Sequence, residues 1–75
     1  MSIKVYSTPN CVQCNATYKT LDAAGIAYEK IDLTKDESAR AMVMNDLGYR
    51  QVPVVVAGDK HWAGFRPEMI RSLVA

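Results

Sequence analysis

Cys11 and Cys14 are the residues whose type and spacing most directly suggest chemistry, and the chain has no other cysteine. With two residues between them, both sulfurs lie on one side of the first turn of a helix and can close a disulfide. The unpaired N–H groups of a helix N-terminus favour negative charge, and the thiolate is the reactive form of cysteine. The pair predicts thiol–disulfide exchange, in which Cys11 attacks a target disulfide and the more shielded Cys14 resolves the mixed disulfide.

Three other interpretations of the cysteine pair stay open. A structural disulfide over so short a loop would stabilise the fold little through entropy. A zinc site needs about four ligands, and only His61 and carboxylates are available to add to the two thiols. The two thiols could also be an inert part of the core. A Cys-x-x-Cys motif placed between a strand and a helix favours redox chemistry over these alternatives.

The overall composition narrows the class of protein. The chain has 75 residues with a net charge of +1, so we predict one domain over residues 1–75 and no nucleic-acid partner. No apolar run approaches the roughly 18 residues of a membrane span, and the N-terminus opens directly into a strand pattern without a signal peptide. We therefore expect a cytoplasmic protein that binds no membrane, and we expect a monomer.

The elements that must hold the cysteines follow from the spacing of apolar residues. Alternation over residues 3–7 predicts a strand, and helical spacing from Cys11 to Gly25 predicts the helix that carries the pair. A second strand is predicted over 26–33, followed by a helix from a Thr34–Glu37 capping box to Gly48. Strands are then predicted over 52–57 and 60–63, with a turn at 58–59 between them. The last helix is opened by Arg66–Pro67, and its predicted apolar face consists of Met69, Ile70, Leu73 and Val74. This βαβαββα order predicts an α/β fold with a four-stranded mixed sheet flanked by three helices.

Several segments together resemble a known family: Cys11-Val12-Gln13-Cys14, Arg50-Gln51-Val52-Pro53-Val54-Val55, Ala57-Gly58-Asp59 and Trp62-Ala63-Gly64-Phe65-Arg66-Pro67. The chain resembles the glutaredoxins, which have the thioredoxin fold, and is most similar to the NrdH-redoxin family. The match covers almost the whole chain in register. The segment from Trp62 to Pro67 discriminates best, because thioredoxins and ordinary glutaredoxins have other sequences there.

The resemblance also implies a substrate-binding surface. Pro53 is implied to be cis and to lie beside the disulfide, and the backbone of Val52 is implied to pair with an extended target segment. Thr8, Val12 and Gln13 are implied to belong to the same surface. Partner recognition is implied for a loop that contains Trp62, Gly64, Phe65 and Arg66.

The family's activity implies the partners. Its members take electrons from thioredoxin reductase and pass them to a class Ib ribonucleotide reductase, whose disulfide must be reduced again after each turnover. In this electron-transfer sequence, NADPH and FAD belong to thioredoxin reductase. We therefore expect no bound cofactor here, and the redox centre to be the Cys11–Cys14 disulfide.

Some positions depart from the family pattern or from that of ordinary glutaredoxins. Ala63 stands where this family commonly has serine. Thr8 stands where many glutaredoxins have a lysine that holds the carboxylate of glutathione, and Gly64-Phe65-Arg66-Pro67 replaces their glycine- and aspartate-rich stretch. These departures weaken a glutathione site. A glutathione-dependent glutaredoxin and a thiol-ligated metal or cluster carrier remain the alternative functions.

Overall fold

The computed structural model describes residues 2–74. Its elements in chain order are β1 Ile3–Ser7, α1 Val12–Ala23, β2 Glu29–Asp32, α2 Glu37–Ala41 with a π-helical continuation Met42–Asp46, β3 Val54–Ala57, β4 Lys60–Ala63 and α3 Pro67–Arg71. The sheet order is β2-β1-β3-β4, with β1 parallel to β2 and the other neighbours antiparallel. The structure confirms the predicted four-stranded mixed sheet with three helices. Within residues 2–74, no helix has the length and apolar character needed to cross a membrane.

Both faces of the central strands are covered. Val5 pairs with Val55, and these two residues lie in a core that also contains Leu21 of α1 and Ile70 of α3. Side chains alternate across a strand, so their neighbour Val54 points to the opposite face. There it packs with Tyr6, Leu33 and Val43 beneath α2 and its continuation. Because β1 and β3 are buried on both sides, the loops that follow and precede them start from fixed positions.

The second strand is shorter than predicted. Residues 26–33 were expected to be extended, but β2 covers only Glu29–Asp32. Among the described residues it is an edge strand of the sheet and pairs only with β1, opposite Lys4–Ser7. Ile26 and Tyr28 still pack against the core from the preceding loop, where the Ile26 N–H donates to Leu21 O at 3.0 Å. Their apolar character reflects burial without strand pairing.

The predicted capping box at Thr34 is wrong. Asp36 caps α2 instead, and its carboxylate accepts the Ala39 N–H at 2.9 Å. The N–H and hydroxyl of Thr34 donate to Asp32 at 2.8 and 2.6 Å, which closes a turn at the end of β2. These two hydrogen bonds also lower the pKa of the Asp32 carboxyl below its usual value. The helix begins two residues later than the capping box required, so Thr34 belongs to the turn.

The last helix buries fewer residues than predicted. Ile70 is buried in the core, with Met69 and Leu73 packed against it. Val74 lies beyond the end of α3 and its side chain is 55% exposed. The helix is too short to extend its apolar face to that residue. The apolar strand predicted from residue 52 likewise begins only at Val54, after Pro53, which has no N–H to donate to the ladder.

Candidate active site

The disulfide lies at the N-terminus of α1. After β1 the chain turns through Thr8, Pro9 and Asn10, and the φ angle of 59° at Asn10 redirects the backbone. Cys11 follows as the N-cap residue in an extended conformation, and its disulfide to Cys14 joins Cα atoms 5.2 Å apart. Cys11 is half-buried, whereas Cys14 is only 1% exposed. Solvent and partners therefore reach the sulfur of Cys11 more readily than that of Cys14.

The backbone around Cys11 favours negative charge on its sulfur. The Cys14 N–H donates to Cys11 Sγ at 3.1 Å, the place that a serine or aspartate oxygen takes in an ordinary N-cap. The first turn of α1 contains no acidic residue that would oppose a thiolate. Helix N-termini stabilise anions through their unpaired N–H groups and dipole. The arrangement supports a nucleophilic sulfur at Cys11.

Pro53 and the loop after β4 are joined by the backbone. The Val52–Pro53 peptide bond is cis, as the resemblance implied, and Pro53 is fully buried. The carbonyl of Pro53 accepts the Gly64 N–H at 2.7 Å. Gly64 has a φ of +85°, a left-handed conformation that glycine adopts without a steric penalty. This hydrogen bond fixes the start of the loop against the residue that precedes β3.

The predicted recognition loop divides between surface and core. Phe65 is 37% exposed, and Arg66 is exposed and forms an ion pair with Glu68 at 2.9 Å. That ion pair lowers the pKa of the Glu68 carboxyl. Trp62 is different: it lies on β4 opposite Val55 and is 2% exposed. Trp62 was expected to take part in partner recognition, but its side chain is closed to a partner because it completes the core.

Val12 and Gln13 occupy the exposed side of the first turn of α1. The Val12 side chain is 82% exposed. Gln13 is also exposed, and its side-chain Oε1 accepts the Phe65 N–H at 3.1 Å. This hydrogen bond joins two segments that lie 52 residues apart in the chain. The family resemblance had implied that Gln13 and Phe65 both belong to the functional surface. It did not indicate that these two residues are hydrogen-bonded to each other.

An open groove contains two further predicted residues, Thr8 and Val52. Its other lining residues are Leu33, Thr34, Arg40, Val43, Met44, Tyr49, Arg50 and Gln51. Arg40 and Arg50 are exposed, and neither forms an ion pair within residues 2–74. None of these other lining residues was predicted as a site residue, because they are scattered along the chain; Arg50 and Gln51 only belonged to the motif that carried the family resemblance. No group of three potential metal ligands occurs within the described residues.

Comparison with known proteins identifies the family. The glutaredoxin family model matches residues 3–62. The glutaredoxin-like protein NrdH of Salmonella typhimurium is 45% identical, over 97% of this chain and 89% of that protein. The chain belongs to the glutaredoxin family, in its NrdH group. It is accordingly a thiol–disulfide oxidoreductase, and its two cysteines form the disulfide that this chemistry uses.

Solved structures of glutaredoxin-family proteins support this assignment. NrdH-redoxin from Escherichia coli superposes with a TM-score of 0.90 at 42% identity, and the match covers 97% of this chain and 95% of that one. A buckwheat glutaredoxin in complex with glutathione superposes with a TM-score of 0.77 at 28% identity, over 96% of this chain and 68% of that one. The NrdH structure matches in length as well as in fold, whereas the buckwheat glutaredoxin is a longer protein.

Proposed function

We propose that this protein is a dithiol electron donor to a class Ib ribonucleotide reductase and that thioredoxin reductase, with NADPH, reduces it again. The near full-length similarity to NrdH proteins carries the proposal. The E. coli relative is described as a glutaredoxin-like protein with a thioredoxin-like activity profile. The chain holds no cofactor in this scheme, and the Cys11–Cys14 disulfide is its redox centre. NADPH and FAD act in the reductase.

The proposed reaction has two steps. The Cys11 thiolate attacks one sulfur of the target disulfide, which forms a mixed disulfide and releases the other target sulfur as a thiolate. The Cys14 thiolate then attacks Cys11 Sγ, which re-forms the Cys11–Cys14 disulfide and releases the second target thiolate. The two target thiolates take up two protons, and the target has gained two electrons. Burial of Cys14 supports its role as the resolving residue, because it becomes the attacking group only after a mixed disulfide has formed next to it.

The backbone before β3 supports the proposed binding of a target segment. Val52 precedes the cis bond and lies outside the β-ladder, where the pairing of β1 with β3 begins at Val54. Within the part of the chain that the structure describes, its N–H and C=O have no backbone partner. An extended target segment can pair with such a free edge. The groove that Val52 shares with Thr8 gives the side chains of this segment a partly apolar surface.

The second candidate is a glutathione-dependent glutaredoxin. The two arginines of the groove, Arg40 and Arg50, are the observation that favours it, because glutathione carries two carboxylates. Arginine forms strong charge-assisted hydrogen bonds with carboxylates. The threonine at position 8 weighs against it, since many glutaredoxins use a lysine there. The third alternative, a metal or cluster carrier, would need ligands beyond those that residues 2–74 bring together.

One assay separates the two leading candidates. The oxidised protein is incubated with NADPH and thioredoxin reductase, and separately with glutathione, glutathione reductase and NADPH, while NADPH oxidation is followed. We expect rapid reduction by thioredoxin reductase, and continued NADPH consumption when class Ib ribonucleotide reductase and its substrate are added. A Cys11→Ser variant is the control for direct reduction of the target. Fast reduction by glutathione with none by thioredoxin reductase would overturn the proposal.

A further inference from the structure

Two consecutive backbone amides connect Pro53, which follows the cis peptide bond, to helix α1, which carries Cys14. The Gly64 N–H donates to Pro53 O at 2.7 Å, and the next amide, that of Phe65, donates to Gln13 Oε1 at 3.1 Å. Gly64 and Phe65 therefore form a bridge between the residue before β3 and the first turn of α1. One end of this bridge is held by backbone. The other end is held by a single side chain, that of Gln13.

The backbone of Gln13 is held within the first turn of α1. Its backbone carbonyl accepts the Thr17 hydroxyl at 2.9 Å, and Thr17 is fully buried. Gln13 also lies between the two cysteines, so its position is tied to theirs. A Cβ added at Gly64 would lie 3.6 Å from Gln13 Oε1, in ordinary van der Waals contact. The side chain thus packs over Gly64 as it accepts the hydrogen bond from Phe65.

The bridge connects the exposed apolar residues next to the disulfide. Val12, 82% exposed, precedes Gln13, and Phe65, 37% exposed, is the residue whose amide Gln13 holds. Exposed apolar side chains beside a reactive group are typical of a partner-binding surface. The Gln13–Phe65 hydrogen bond therefore ties the backbone that carries the Phe65 side chain to the helical turn that follows Cys11 and carries Val12.

We propose that Gln13 is a positioning residue for the reaction with protein disulfides. Its side-chain carbonyl holds the Gly64–Phe65 loop at a fixed position relative to Cys11, so that a protein target contacts the loop and the Cys11 sulfur at the same time. The inference rests on the proposed exchange with protein targets. Gln13 takes no part in the transfer of electrons. A small disulfide needs only the Cys11 sulfur and is indifferent to the loop. The residue thus determines specificity for protein over small-molecule disulfides.

The test compares two substrates of different size. Pre-reduced protein is mixed with increasing concentrations of insulin, a protein disulfide, or of bis(2-hydroxyethyl) disulfide, which is small and uncharged. Acid quenching and thiol labelling at successive times measure the oxidation of the cysteine pair. The rates give a half-saturating insulin concentration and a maximal rate for insulin, and a rate constant for the small disulfide. Neither reductase nor ribonucleotide reductase is present, so failure of those proposed partners does not affect the measurement.

Gln13→Met removes the acceptor and keeps the length of the side chain. We expect the half-saturating insulin concentration to rise about three- to tenfold, as the loss of one hydrogen bond would give. The maximal rate and the rate constant for the small disulfide should each stay within about twofold, since the sulfur environment is unchanged. Gln13→Glu keeps an acceptor oxygen and should have a half-saturating concentration close to that of the wild type; its added charge acts on the reactivity of Cys11, so this variant is judged by half-saturation alone. Gln13→Asn keeps the amide on a shorter side chain and should behave like Gln13→Met.

Asn45 provides a matched control on another helix. Asn45 is an exposed amide on the π-helical continuation of α2, with no side-chain hydrogen bond among residues 2–74, so Asn45→Met should match the wild type. Unchanged half-saturation in both Gln13→Met and Gln13→Asn would overturn the inference alone. An equal loss of rate with both disulfides would also overturn it, because Gln13 would then act on the thiols. A wild-type protein that does not react with insulin would overturn the proposed function as well.

Discussion

The amide of Cys14 donates a hydrogen bond to the sulfur of Cys11 at 3.1 Å. The cysteine at the surface is thus the cap of the helix whose first turn contains the buried one. Because a cap position stabilises negative charge, the more accessible sulfur of Cys11 is suited to attack, and burial delays the sulfur of Cys14 until a mixed disulfide has formed. A single local motif therefore supports an order of events in which Cys11 attacks and Cys14 resolves.

The order of attack predicts opposite behaviour of two serine variants. Cys14→Ser keeps the attacking sulfur and removes the resolving one, so it should accumulate a mixed disulfide with a disulfide-containing target protein. Cys11→Ser should form none, because the remaining sulfur is 1% exposed. Non-reducing electrophoresis and mass spectrometry of the reaction mixture measure the adduct. Full dithiol activity in Cys11→Ser would show that the roles are assigned wrongly.

Charge at position 12 should change the reactivity of Cys11. Val12 is the first residue of α1 and is 82% exposed, so Asp, Asn and Lys can replace it without a clash. Asp next to the sulfur opposes a thiolate and Lys favours it. The pH of half-maximal alkylation of the reduced protein by iodoacetamide should move up in Val12→Asp and down in Val12→Lys, each by up to about half a unit at low salt.

In this alkylation series Val12→Asn is the uncharged control. It should stay close to the wild type, and high salt should reduce the difference between the charged variants. Equal pH profiles for Asp and Lys at low salt would contradict stabilisation of Cys11 by the helix N-terminus.

Tyr28 gives a prediction for stability at alkaline pH. Burial and a hydrogen bond from its hydroxyl to Asp22 at 2.9 Å raise the pKa of Tyr28 to about 12. The folded state therefore holds this proton more tightly than the unfolded state, whose tyrosines titrate near about 10. The stabilisation is complete below the unfolded pKa and is lost as the pH rises toward the folded one. Tyr28→Phe removes the titrating group and keeps the ring.

Urea unfolding at pH 8 and pH 11 measures this effect. Wild type should be more stable than Tyr28→Phe at pH 8, and its advantage should shrink at pH 11. Lysine titration affects both proteins alike and cancels in the comparison. An advantage that is unchanged or larger at pH 11 would contradict the raised pKa.

Much of the architecture was predictable because it depends on local order along the chain. The apolar run of β3 and the turn at Gly58 and Asp59 are read from neighbouring residues; the structure has the turn and the end of the strand where they were predicted, although the strand begins two residues later. The capping error at Thr34 had a local cause too. Asp32 and Asp36 compete with Thr34 for the roles of turn and cap, and the spacing alone does not say which residue begins the helix.

The sequence by itself determined the cysteine pair, its place between a strand and a helix, and the order of the elements. Cys11 and Cys14 are neighbours on one helical turn whatever surrounds them, so their chemistry follows from short-range geometry. Only the tertiary structure decided that Trp62 is buried and that Gln13 accepts a hydrogen bond from Phe65 across 52 residues. Such contacts form when the sheet and helices pack together. They depend on the relative positions of distant segments, which no local pattern of residues specifies.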